Sequence, residues 1–92
     1  MQKTKVIPDE DCFLFYWAEF SNVSKEMKDI MDSVESPLPI YEINLTDNPE
    51  LGSVLDIKAV PTIINARTCQ WVVGNISKEE IEKWLKKSFA DL

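Results

Sequence analysis

The hydrophobic pattern of the chain is dominated by an aromatic and aliphatic run at residues 13–17, shortly before the small polar tetrad Ser21-Asn22-Val23-Ser24. Apolar residues on both faces of an extended segment are typical of a strand buried on both sides at the centre of a sheet. We predict that this strand ends near Glu19. Beyond it, apolar residues recur at three- and four-residue spacing, which predicts a helix packed on the sheet. The members of this stripe are Val23, Met27, Ile30, Met31 and Val34.

The tetrad is expected at the start of this helix, with Ser21 or Asn22 as the capping residue. The first N–H groups of a helix have no partner within the helix, and the helix dipole places partial positive charge at the same end. Such a position favours an anion or a nucleophile, so the tetrad is the first candidate for a functional site.

The first half of the chain predicts short elements on either side of this helix. Residues 1–7 form either an edge strand or a loose arm, and an acidic turn follows at residues 8–11. Two prolines at residues 36–39 end the first helix, because each disfavours helix in the residue before it. Residues 40–45 alternate as a second strand. Residues 46–48 are expected to cap a short helix with Pro49 at its first position. Its predicted inner face is Leu51, Val54 and Leu55.

A hairpin and a last helix complete the predicted domain. Residues 60–64 and 70–73 are expected to be antiparallel strands joined by a turn at residues 65–68, with residues 70–73 as an edge strand. Ser77 and Glu80 have the spacing of a capping box for the last helix. The predicted buried stripe of that helix is Ile81, Trp84, Leu85 and Phe89, and Trp71 is interpreted as a packing residue. The predicted order is β-α-β-α-β-β-α, an α/β class with a βαβ unit that crosses over right-handedly.

Composition is consistent with a single small domain over residues 1–92 and excludes several classes of function. The formal charge of −6 argues against nucleic acid and membrane surfaces as partners, since both favour a basic protein face. No segment approaches the ~20 apolar residues that cross a bilayer. With no histidine and only two cysteines, no metal site or cofactor is expected. We expect a cytoplasmic monomer.

The segment from Trp17 to Lys25 resembles the active-site segment of the thioredoxin family, which reads Trp-Ala-x-aromatic-Cys-x-x-Cys-Lys. Here both cysteine positions hold serine, Ser21 and Ser24. The resemblance continues through Asn48-Pro49, through residues 57–62, which resemble the cis-proline segment of the family, and through residues 73–78 before the last helix. It covers about residues 12–85, and it implies a minimal thioredoxin fold without the usual extra first helix.

The resemblance also implies a set of functional residues. Ser21 and Ser24 stand at the positions of the catalytic cysteines, of which the first attacks a disulfide and the second resolves the mixed disulfide. Trp17, Asn22, Val23 and Gly74 are implied as substrate-binding positions, although an aromatic residue at Trp17 is more often core. Pro61 is expected to be cis, with the backbone of Val60 holding a substrate as an added strand. The family commonly buries an aspartate at the position of Phe15.

Serine cannot perform the thiol chemistry, because its hydroxyl is too weak an acid to ionise under the pull that activates a cysteine. A hydrolytic serine needs an adjacent general base, and the chain has no histidine. Serine is also a favoured helix cap and needs no catalytic role. The pair is consistent either with deliberate Cys→Ser substitution or with a natural relative that has no redox activity.

Cys12 and Cys69 are expected at the opposite end of the sheet, too far apart for a disulfide, as two reduced structural thiols. Three functional hypotheses follow. The chain is a thioredoxin-type disulfide oxidoreductase whose catalytic positions are serine and which is inactive as written, a binding module without redox activity, or a domain without a site. Its expected partners are protein disulfide substrates or another protein, including a reductase.

Overall fold

The computed structural model describes residues 1–92 and contains a five-stranded sheet with three helices. The elements in chain order are β1 Gln2–Lys3, β2 Phe13–Trp17, α1 Asn22–Met31, β3 Ile40–Asn44, α2 Glu50–Val54, β4 Thr62–Asn65, β5 Trp71–Val73 and α3 Lys78–Ala90. The order from β2 onward confirms the predicted β-α-β-α-β-β-α arrangement. No helix has both the length and the apolar character needed to cross a bilayer.

The sheet has the spatial order β1-β3-β2-β4-β5, with β2 at its centre. Strands β1, β3 and β2 are parallel to one another, whereas β2 with β4 and β4 with β5 pair antiparallel. Of the two alternatives for residues 1–7, the edge strand is the one observed, although it spans only two residues. All five residues of β2 are buried, as expected for a central strand covered on both faces.

Side chains alternate across β2 and divide the core into two clusters. Phe13, Phe15 and Trp17 pack with Met27 and Met31 of α1 and with Ile81 and Leu85 of α3. On the opposite face, Leu14 and Tyr16 pack with Ile43, Ile64 and Leu51. The hydroxyl of Tyr16 donates to the backbone oxygen of Leu51 at 3.1 Å. The second face is therefore covered mainly by the five-residue helix α2 and by loops.

Several predicted boundaries need correction. Strand β2 ends at Trp17 and not near Glu19, because residues 18–21 turn into α1. Pro49 precedes α2 instead of occupying its first position, and no side chain caps the helix. The side-chain Nδ2 of Asn48 donates to the backbone oxygen of Asn44 at 3.2 Å. Strand β4 begins at Thr62 and not at Val60.

Some predicted packing residues are exposed. Phe89 is 43% exposed, and Ser88 is buried in its place because its hydroxyl pairs with Asn65 and Gln70, at 3.0 and 2.6 Å. Trp71 is 64% exposed, since β5 is the edge strand of the sheet. Val23 and Val54, each assigned to an inward stripe, are also exposed. The cap of α3 by Ser77 is as predicted, with its hydroxyl accepting from the Glu80 amide at 3.2 Å.

Candidate functional site

The tetrad forms the corner between β2 and α1. Ser21 is the N-cap, and its hydroxyl oxygen accepts a hydrogen bond from the Ser24 amide at 3.2 Å. Serine caps helices well because its short side chain reaches one of the unpaired N–H groups of the first turn. Asn22 and Val23 are exposed, Ser21 is half-buried and Ser24 is fully buried. The four residues thus present three positions to solvent and hide the fourth.

The hydroxyl of Ser24 is fully engaged in holding this corner together. It accepts a hydrogen bond from the Ala18 amide at 3.1 Å and lies within donor distance of the backbone oxygens of Ala18, at 3.0 Å, and Ser21, at 2.9 Å. Ala18 and Ser24 are both inaccessible to solvent, so water cannot satisfy their polar groups. The contacts within the chain supply these hydrogen bonds instead. Ser24 is therefore a structural residue in this chain.

Val60, Pro61 and Gly74 lie at the same end of the sheet as the tetrad. The Val60–Pro61 peptide bond is cis. The register pairs Tyr16 with Thr62, so that Pro61 follows the end of β2, and the Gly74 amide donates to the Pro61 oxygen at 3.1 Å. Gly74 has φ +103°, which favours glycine over any residue with a side chain. The strand pairing therefore brings these predicted site residues together.

Phe20 is the residue at this corner that sequence reasoning missed. Its ring is 82% exposed, immediately before the tetrad, and Val23 and Val73 are 43% and 40% exposed. An aromatic ring in a polar turn at the end of an apolar run was the available signal. We call the surface formed by Phe20, Val23, Val60 and Gly74, next to the buried Pro61, the tetrad surface.

Trp17 lies in the core instead of on the tetrad surface. Only 9% of it is exposed, and it packs with the cluster beneath α1. The Nζ atom of Lys28 lies 5.6 Å from the centroid of its ring, within the range of a cation–π contact. Its indole Nε1 is buried without a hydrogen-bond partner. Trp17 therefore packs in the core next to α1, and little of its ring is available to a binding partner.

A buried carboxylate lies beside Phe15. Phe15 is fully buried, and its register partner in β3 is Glu42, which is 4% exposed. A carboxylate oxygen of Glu42 lies 3.9 Å from Nζ of Lys28. The alternating pattern of residues 40–45 does not reveal this, since β3 lies between β1 and β2 and is covered on both faces. Phe15 itself is apolar, but the ion pair of Glu42 in β3 with Lys28 in α1 lies next to it.

The two cysteines are free thiols with different surroundings. Cys12 is fully buried next to the start of β2, at the end of the sheet opposite the tetrad. Burial raises the pKa of the Cys12 thiol, and the neighbouring carboxylate of Glu10 raises it further. Cys69 is exposed in the β4–β5 turn with φ +63°. Neither thiol lies at a helix N-terminus.

Comparison with known proteins supports the resemblance. No protein-family profile matches the chain. A thioredoxin of Rickettsia felis is 26% identical over 80 residues, covering 79% of this chain and 76% of the relative. A thioredoxin of Porphyra purpurea is 24% identical over 79 residues, covering 78% and 74%. A solved mutant thioredoxin from Halobacterium salinarum superposes with a TM-score of 0.75 at 15% identity, over 86% of this chain and 75% of that structure.

Proposed function

We propose that this chain, a thioredoxin-like protein with the thioredoxin fold, binds an extended protein segment at the tetrad surface and does not exchange disulfides. The observation that carries the proposal is the hydrogen bonding of Ser24. Turnover of a disulfide needs an attacking thiol at position 21 and a resolving thiol at position 24, and both positions hold serine. The Ser24 hydroxyl is moreover buried and bonded to Ala18 and Ser21. The Ser21 hydroxyl accepts from the Ser24 amide and caps α1.

The tetrad surface has the features of a peptide site. Three apolar side chains, those of Phe20, Val23 and Val73, are exposed around it. Val60 lies outside β4 and its backbone N–H and C=O form no hydrogen bond within the chain, so this residue is available to an extended chain in the strand-addition mode. Pro61 has no N–H, and its oxygen already accepts from Gly74. The N-terminus of α1 has partial positive charge, which favours binding of a backbone oxygen or a carboxylate of the bound segment. The proposed partner is an extended protein segment with an apolar centre.

A second proposal is that the chain is an oxidoreductase whose cysteines at positions 21 and 24 have been replaced by serine. The observation that favours it is that both serines occupy the corner at the N-terminus of α1, where a thiolate would be stabilised. Under this proposal the partners are protein disulfides and a reductase. A cytoplasmic location and a monomeric state belong to both proposals.

The test of the binding proposal is an amide-shift titration of the labelled chain with an acetylated, amidated Thr-Val-Pro-Val-Thr peptide. We expect changes at the amides of Phe20, Ser21–Ser24, Ala59, Val60, Thr62 and Gly74. Phe20→Ser should weaken binding at least about tenfold, because an exposed aromatic anchor contributes strongly to small interfaces.

Phe89→Ser is the matched control, because Phe89 is also an exposed ring but lies on α3 near Ser88, which contacts Asn65 at the other end of β4. Its affinity should equal that of the parent. If Phe20→Ser binds the peptide as tightly as the parent, or if the shifts map to other faces, the tetrad surface is not the binding site.

A further inference from the structure

The exposed side chains of the edge strand β5 form a second apolar surface, on the face of the sheet opposite α1 and α3. The register aligns Trp71 with Ile64 and Leu14, and Val73 with Thr62 and Tyr16, on the face opposite those two helices. Trp71 is 64% exposed and Val73 is 40% exposed, whereas Ile64 and Thr62 beside them are buried. The outermost row of this sheet face is therefore open to solvent.

The backbone of β5 also has free hydrogen-bonding groups. The Gly74 amide donates to Pro61 at 3.1 Å, and the Asn65 amide donates to Gln70 at 2.8 Å. Because hydrogen-bonded and non-hydrogen-bonded pairs alternate in an antiparallel ladder, Val72 bonds to β4 between these two pairs. The N–H and C=O groups of Trp71 and Val73 therefore point away from β4, toward solvent.

This edge is short, but it has none of the other usual protections against strand pairing. Exposed edge strands are normally protected by short length, lysine, proline, bulges or a covering element. Residues 70–73 read Gln-Trp-Val-Val and carry neither charge nor proline. A groove of about 520 Å³ runs beside them, with Leu55, Ile57 and Ala59 on its opposite wall. A strand added to β5 could place one apolar side chain in this groove, next to Trp71.

The charges around the groove indicate what kind of strand fits. Its two charged lining residues, Asp56 and Lys58, lie 3.7 Å apart and compensate each other. The centre of a bound segment should therefore be uncharged. The whole chain has a formal net charge of −6. This net charge attracts basic residues at the ends of a partner segment and repels a second copy of the chain.

The size of the surface also argues against a second copy. An aromatic side chain buries ~150–250 Å², so Trp71, Val73 and three residues of backbone amount to a few hundred Å². A stable interface of standard size buries about 800 Å² on each partner. An edge of this area suits a single extended peptide segment with modest affinity.

We propose that the β5 edge binds an extended, basic-ended, apolar-centred segment of a partner protein by strand addition, with one aliphatic side chain in the groove beside Trp71. This site is separate from the tetrad surface, although Val73 borders both. Its markers are therefore Trp71 and Lys58, and the markers of the tetrad surface are Phe20 and Val23.

The probe is an acetylated, amidated Lys-Thr-Val-Thr-Val-Thr-Lys peptide, titrated into the labelled chain. We expect amide shifts at Trp71, Val73 and Lys58, with slowed hydrogen exchange at Trp71 and Val73. Exchange at Val72 should be unaffected, because its amide is already bonded within the sheet. A peptide with glutamate at both ends should bind at least about fivefold more weakly.

Two variants test the contacts separately. Trp71→Lys adds charge to the edge and removes the ring, and it should weaken binding at least about tenfold. Val73→Pro removes an outward N–H without removing a bond to β4, and it should do the same. Val54→Lys is the control, since Val54 is 61% exposed on α2 and the change adds the same charge as Trp71→Lys. It should bind like the parent.

The proposal is overturned if no shift occurs up to about 1 mM peptide, which corresponds to a binding free energy weaker than about 4 kcal/mol. Shifts at Phe20 and Val23 without shifts at Trp71 would assign the peptide to the tetrad surface and overturn it too. A concentration-dependent dimer in sedimentation velocity that Trp71→Lys abolishes would show that a second copy, and not a partner segment, occupies the edge.

Discussion

Replacing Ser24 by alanine should destabilise the fold by about 2 kcal/mol. The substitution leaves the buried Ala18 amide without its acceptor at 3.1 Å. The backbone oxygens of Ala18 and Ser21 keep one partner each, the amides of Ser21 and Lys25, so the orphaned N–H dominates the loss. An unsatisfied buried donor costs about 1–3 kcal/mol. Alanine has the higher helix propensity and recovers a few tenths of a kcal/mol.

The measurement is urea unfolding followed by tryptophan fluorescence. A loss of this size corresponds to a fall in Tm of about 8–16 °C for a domain of this length. Ser53→Ala is the matched control, because Ser53 is an exposed residue within α2, and it should change stability by less than about 0.5 kcal/mol. If Ser24→Ala also stays within about 0.5 kcal/mol of the parent, the structural role assigned to the Ser24 hydroxyl is wrong.

Three further predictions concern the rest of the core. Lys28→Met leaves the nearly buried Glu42 carboxylate without its cation. Removing one partner of a fully buried pair costs about 3–5 kcal/mol, and we expect about 1–3 kcal/mol here because Lys28 is partly exposed and the pair is 3.9 Å apart. Adding Glu42→Gln should recover part of this loss in urea unfolding. Burial raises the pKa of Tyr16 to about 12. The pKa of tyrosine in the unfolded chain is about 10. The contribution of the neutral Tyr16 side chain to the free energy of unfolding is therefore present below pH ~10 and should be lost as the pH rises toward ~12. Tyr16→Phe should remove this loss in an alkaline unfolding series. Thiol titration of the native chain should show one fast-reacting thiol, that of Cys69. Cys12 should react only after denaturation, because it is buried and its pKa is raised. Two fast-reacting thiols would contradict the burial of Cys12.

The fold was accessible from the sequence where one pattern dominated. The ring-rich run of β2 and the Ser77 cap of α3 each have a single structural solution, and both are observed. The exposure of single side chains was not accessible in the same way. Residues 70–73 were predicted as an edge strand, which is observed, but Trp71 was assigned to packing, and its side chain is 64% exposed.

The position of the candidate site was predictable, but its hydrogen bonding was not. The order of elements places the tetrad and Pro61 at one end of the sheet, as the resemblance to thioredoxins implies. No local pattern states that the Ser24 hydroxyl bonds back to Ala18, six residues earlier, because this depends on the shape of the corner. The burial of Glu42 likewise depends on β1, whose two residues give no sequence signal of their own.

The most direct measurement is the rate of insulin disulfide reduction by dithiothreitol with and without the chain. The unaltered chain should give the background rate, because no thiol lies at the N-terminus of α1. The Ser21→Cys, Ser24→Cys double variant should accelerate the reaction, because the helix end lowers the pKa of the first thiol. Acceleration by the unaltered chain that disappears on Cys69→Ser would contradict the account and assign the activity to the thiol at the opposite end of the sheet.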